Sequence, residues 1–174
     1  MLEPELAEEG NVVECPGCGL MLPSKNSAQH SRYHASGECH ELFNQFMACT
    51  RTLYDKDFIH QIAVDTYGAQ HAGGATKSIT SAFGLIGLCL ALEHNYTGRE
   101  VQKVHMKIPK QNWEKLELSG ISGNFTVSEV LKAESGQELK ILIYKWASSV
   151  WQSWSHHHKK IREITSEILY CSRK

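Results

Sequence analysis

Thr76-Lys77-Ser78-Ile79-Thr80-Ser81-Ala82-Phe83-Gly84-Leu85-Ile86-Gly87-Leu88-Cys89-Leu90-Ala91-Leu92-Glu93-His94 reads as a helix opened by Thr76 or Ser78. Its apolar face is broad, which places it centrally among other helices. The apolar run 82–92 is far shorter than the roughly 20 residues a membrane span needs. Gly84 and Gly87 fit close approach of a neighbouring helix instead.

Helical signals continue on both sides. Upstream, Phe43, Phe46 and Met47 fall at helical spacing, with Leu42 beside them, in a segment from about Ser36 to Arg51. Asp55 caps a second helix, about 56–71, which Gly73-Gly74 ends. Downstream, a short helix runs from Gly98 to about Lys107 and stops before Pro109. Residues 110–124 form a loop, and Thr126-Val127-Ser128-Glu129 is a capping box that opens another short helix. The last helix is long, about Glu138 to Tyr170. Its stripe is Ile143, Trp146, Val150, Trp154, His157, Ile161, Ile164 and Ile168, at steps of three and four. No alternating strand pattern stands out. The expected fold is all-α: a helical-bundle-like domain of five or six helices. Residues 1–14 read as a flexible segment and 15–174 as a single domain, with 15–40 forming a metal-binding knuckle packed on it.

The chain has 174 residues, 41% of them apolar and 21% charged, so it can bury a core of its own. Its net charge of −1 gives no basic excess for nucleic-acid binding. The acidic start (Glu3, Glu5, Glu8, Glu9) is unlike a signal or transit peptide. A cytoplasmic protein away from membranes is expected. Its six cysteines are then metal ligands or buried thiols rather than a disulfide framework.

The strongest chemical signal is Cys15-Pro16-Gly17-Cys18-Gly19. Two thiols flanking a tight Pro-Gly turn can converge on one tetrahedral ion, and zinc suits thiolate and imidazole ligands. Cys39, in the first turn of a helix, gains from the helix dipole as a thiolate. His34 completes the expected set, with His71 and His30 as alternatives. A second group lies on the helix 56–71, where His60, Val64, Tyr67 and His71 share a face. His60 and His71 are about 16 Å apart along the axis and cannot bind one ion together. Asp65, on a neighbouring face, can orient a histidine from another helix. A third group holds Trp151, Trp154, His156, His157, His158 and Arg162, with His157 on the apolar stripe. Asp65, His71 and His157 are the candidate catalytic residues; His60, Tyr67, Gln70 and His158 are candidate pocket residues.

Several of these motifs together resemble a family of uncharacterised bacterial proteins, known only as a domain of unknown function. The matching stretches are Cys15-Pro16-Gly17-Cys18-Gly19-Leu20, Cys39 opening a helix, Val64-Asp65-Thr66-Tyr67-Gly68-Ala69-Gln70-His71 and Trp151-Gln152-Ser153-Trp154-Ser155-His156-His157-His158. The resemblance runs from Cys15 to Arg162. It implies a metal-associated helical domain and no known reaction. It also leads one to expect a histidine in the third helix, where this chain has Gly84 within Ala82-Phe83-Gly84-Leu85.

Three readings follow. The first is a zinc-binding helical protein with a structural metal and an Asp/Tyr/Gln/His cluster lining a ligand pocket. The second is a metal-dependent, hydrolase-like enzyme using His71 with His157 or His158 from facing helices. The third is an adaptor that docks through the knuckle. A small molecule or another protein is the expected partner.

Overall fold

The computed structural model describes residues 11–118 and 120–171. The expected flexible segment 1–14 lies mostly outside them. Its end does not: Val12–Glu14 form strand β1, paired antiparallel with β2, Met21–Pro23. Val13 faces Leu22 in the register. Strands of three residues carry too few side chains to show a period, so hydropathy patterning misses them. The Cys15–Gly19 turn joins them; Gly19 N–H donates to Cys15 O at 2.8 Å and Cys15 N–H to Leu20 O at 2.9 Å. Gly19 has φ of 72°, where a side chain is strained.

Seven α-helices follow among the described residues, against the five or six expected: α1 (Gly37–Arg51), α2 (Ile59–Gln70), α3 (Ser78–Glu93), α4 (Gly98–Lys107), α5 (Val127–Val130), α6 (Gly136–Ser153) and α7 (His158–Cys171). None is long and apolar enough to cross a membrane. The difference in number comes from the C-terminal half. One helix from 138 to 170 would be about 50 Å long, more than the roughly 40 Å diameter of a domain this size. The chain instead turns at Trp154 through a 3₁₀ segment, Ser155–His157, so that α7 folds back onto α3. His158 fastens the bend: its ring stacks on Trp151 at 3.9 Å and its Nε2 lies 2.9 Å from Trp151 O. The apolar stripe survives the bend, with Ile143, Trp146, Val150, Trp154 and Ile161 all buried.

Helix starts follow local chemistry. Ser36 caps α1 by accepting from Cys39 N–H. Both Thr97/Glu100 and Thr126/Glu129 form reciprocal capping boxes. Asp55 acts from farther upstream than expected. The α2 helix begins at Ile59, whose N–H donates to Asp55 Oδ2 at 2.7 Å, while Lys140 of α6 pairs with Oδ1 at 2.9 Å.

The centre of the fold is α3, packed against α2, α4, α6 and α7. Leu85, Ile86, Leu88, Cys89 and Leu90 are buried around its circumference. Its contact with α2 is close because two glycines face that helix. A Cβ on Gly84 would sit 2.7 Å from Asp65 O and 2.8 Å from Ala69 N. A Cβ on Gly87 would sit 2.0 Å from Asp65 Oδ2. The expected histidine at position 84 cannot be accommodated at this helix separation.

Gly84→Ala therefore sets two effects against each other. Helix propensity favours alanine by about 1 kcal/mol. Overpacking against rigid backbone costs about 3 kcal/mol. The net loss of about 2 kcal/mol should lower the melting temperature by roughly 4–8 °C; a rise in melting temperature would mean that the helices are not this close.

Candidate metal centre

Three thiols and one imidazole converge where the hairpin, α1 and the end of α2 meet. Cys15, Cys18, Cys39 and His71 each offer one ligand atom, and these atoms lie within 4.8 Å of one another. All four residues are buried. Cys18 Sγ and Cys39 Sγ are 3.8 Å apart, and Cys39 Sγ and His71 Nε2 are 3.5 Å apart. Tetrahedral zinc, with bonds of about 2.3 Å to sulfur and 2.0–2.1 Å to nitrogen, requires about 3.8 Å and about 3.6 Å for those edges. The donor set and its spacing therefore fit a tetrahedral ion.

Surrounding groups orient the ligands. His71 Nδ1 is 3.0 Å from Tyr67 O, one turn back on the same helix. A proton held on Nδ1 leaves the Nε2 lone pair facing the thiols, as in many metal-bound histidines. The Tyr67 hydroxyl donates to Cys39 Sγ at 3.6 Å, and its ring stacks on Phe43 of α1 at 3.8 Å. Gly17 gives the turn its close approach: a Cβ there would meet His34 O at 2.6 Å and His71 Cδ2 at 2.7 Å.

The three thiols act on one another's protons through the short contacts between them. Hydrogen bonds from Cys18 and Cys39 hold Cys15 far below the ordinary thiol value. The bond to Cys15, with burial behind it, pushes Cys39 up to about 12 and Cys18 higher still. One thiolate is thus tolerated among these groups without added positive charge, and a second and third are opposed. A bound divalent cation reverses that balance.

The fourth group in the cluster is His71, among the expected alternatives. His34 lies beside the cluster and serves it through its backbone, its N–H donating to His71 O at 2.8 Å. Its ring packs on Gly73 and Gly74. His30 is exposed and stacks on His40 at 4.6 Å.

The polar residues expected to share one pocket go to different places. Tyr67 and His71 belong to the metal centre. Gln70 is fully buried and ties three segments: its Nε2 donates to Ser122 O at 2.9 Å and Phe125 O at 2.8 Å, and its Oε1 accepts from Trp146 Nε1 at 2.8 Å. His60 joins α2 to α1 through Thr50 Oγ1 at 2.7 Å, and burial lowers its pKa. His157 Nε2 is 2.9 Å from Glu117 O. Asp65, His71 and His157 thus have separate sets of partners. Arg162 pairs through two nitrogens with Glu93, at 2.7 Å each, and Trp151 Nε1 donates to the same carboxylate at 3.1 Å.

Asp65 is buried on α2 and faces His105 of α4, with Oδ2 and Nε2 3.9 Å apart. Sequence reasoning passed over His105. It follows Val101 by four residues and Val104 by one, and both valines are buried, so it borders the inward face of α4.

Residues 13–155 match the model of a family of unknown function, DUF5946. The chain belongs to that family. No curated protein and no solved structure matches it. The DUF5946 match takes in the hairpin, helices α1 to α6 and all four groups of the metal centre, together with Asp65 and His105. It ends at the bend before α7.

Proposed function

We propose that this DUF5946 chain is a zinc-stapled helical domain that binds a small molecule, with the metal structural. Zinc would be held by Cys15, Cys18, Cys39 and His71. The observation that carries this reading is the convergence of four buried ligand atoms within 4.8 Å. Four protein ligands leave no position for a bound water, which is the mark of a structural rather than a catalytic zinc site. Bound there, the ion would supply the positive charge that lets three thiolates share one place. The chain's own residues do the rest. Cys15 and Cys18 bring the hairpin, Cys39 brings the start of α1, and His71 brings the end of α2.

Two further observations favour this reading. All six cysteines are free, which suits a reducing compartment such as the cytoplasm. His71 is also engaged by the thiols and by Tyr67 O, so it is not available as a general base.

Elemental analysis of the purified chain is expected to find one zinc per chain. His71→Ala should lower zinc content well below one equivalent, and His34→Ala should leave it intact. Full zinc content in His71→Ala would exclude His71 from the ligand set.

A further inference from the structure

Between α2, α3, α4 and the residues around Tyr33 lies a cavity of about 500 Å³. Small-molecule sites commonly measure about 300–1,000 Å³. The Asp65 and His105 side chains line it, only 5% and 9% exposed. Asp65 Oδ1 accepts from Gln61 Nε2 at 3.1 Å. Asp65 Oδ2 and His105 Nε2 are buried without a hydrogen-bond partner. They are 3.9 Å apart, too far to bond each other.

With the Asp65 carboxyl ionised, both atoms are acceptors. A neutral imidazole carries its proton on one nitrogen, and with that proton on Nδ1, beside the Phe83 backbone, the other nitrogen is free to accept. Nε2 is left with its lone pair. Leaving a buried acceptor unpaired is costly, because its lost hydration is not replaced. Here two such acceptors, from two helices, meet across one gap. The fold also makes special room for the carboxylate. Oδ2 occupies the space where any side chain at Gly87 would begin. Two converging acceptors form a socket for one group that donates to both.

The rim has the opposite character. Arg32 and Lys77 line the cavity and are exposed. Neither pairs with a carboxylate among the described residues. The Arg32 guanidinium lies 5.6 Å over the Tyr33 ring, which also lines the cavity. Acceptors at depth and cations at the rim complement a ligand that is a donor at one end and acidic at the other.

We propose that this cavity binds a small zwitterion, its ammonium group bonded by Asp65 and His105 and its acidic group facing Arg32 and Lys77. This rests on the reading of the domain as a small-molecule binder and is independent of the zinc centre. Burial now pushes the Asp65 carboxyl well above its ordinary range. An ammonium in contact restores the carboxylate, because an adjacent opposite charge favours the ionised form.

The test uses the zinc-loaded full chain. Phosphoethanolamine, taurine and γ-aminobutyrate are titrated to millimolar concentration, and the His105 imidazole is followed by NMR. Ethanolamine and inorganic phosphate are the single-charge controls. A saturable His105 shift with at least one zwitterion is expected. Asp65→Asn, read at His105, and His105→Gln, read by calorimetric titration, should each weaken that binding about tenfold or more, a loss of at least about 1.4 kcal/mol. Arg32→Ala with Lys77→Ala should weaken zwitterion binding and leave ethanolamine unaffected. Zinc content should stay constant in all of these variants, which separates this result from any failure of the metal reading. The proposal is overturned if no zwitterion shifts His105 saturably, if phosphate alone reproduces the shift, or if binding survives Asp65→Asn unchanged.

Discussion

Cys15→Ser combined with Cys18→Ser is expected to release the zinc and lower the melting temperature by roughly 10–20 °C. Structural zinc contributes about 10–16 kcal/mol of apparent binding energy in small zinc-finger peptides. A whole domain is stable by only about 5–15 kcal/mol. Were the metal the main support, the variant would not fold. Here the helices have a separate core, with Leu85, Leu88, Ile143, Trp146 and Trp154 all buried. The loss is therefore set nearer about 5 kcal/mol, at roughly 2–4 °C per kcal/mol for a chain of this size. The helical circular dichroism should persist while the hairpin detaches. Few bonds besides the ligands hold its turn, Ser122 N–H to Gly17 O at 3.1 Å being one. Unchanged zinc content and melting temperature in the double variant would remove the structural role assigned to the knuckle.

The second large effect is a pH dependence that appears only when the Asp65–His105 pair is split. Burial pushes the Asp65 carboxyl well above its ordinary value of 3.8. Burial also lowers His105 from 6.5 to about 4. The raised Asp65 contributes stability that is complete below 3.8 and is lost as pH rises through its folded value. The lowered His105 contributes stability that is complete above 6.5 and is lost as pH falls toward about 4. Above about 4 and below 6.5, wherever the folded Asp65 keeps its proton, the folded pair holds one proton, on Asp65, and the unfolded pair also holds one, on the histidine. The two slopes cancel.

Asp65→Asn removes one slope. That variant should lose about 3 kcal/mol more than the wild type between pH 6.5 and 4. His105→Gln should do the reverse, losing stability relative to the wild type as pH rises above 3.8. Tyr33, Arg32 and Lys77 also line this cavity and stay unchanged across the comparison. Denaturant unfolding at several pH values reads both slopes. Parallel profiles for wild type and Asp65→Asn would show that His105 is not held neutral by burial.

Most helices were legible because their signals are local. The capping boxes at Thr97 and Thr126, the glycines after His71 and the apolar density of α3 lie within a few residues of the ends or faces they determine. The bend at Trp154 was not legible. The stripe from Ile143 to Ile168 keeps helical spacing through it, and only the need to fold α7 against α3 interrupts the helix. The hairpin was missed for a different reason: three-residue strands leave no periodic trace.

At the sites, the sequence by itself determined the Cys15-Pro16-Gly17-Cys18 turn, because two thiols that close in the chain must also be close in space. It also nominated Cys39, through its place in the first turn of α1. Only the tertiary structure places His71, rather than His34 or His30, among the three thiols. That choice depends on where α2 ends relative to the hairpin, and no local pattern encodes it. Likewise Asp65 stood out in the sequence, but its partner His105 is forty residues away on α4. Their meeting depends on the close contact of α2 with α3, which two glycines permit. Residue spacing can propose ligands within one turn of chain; which side chains meet across helices is fixed by how closely those helices approach.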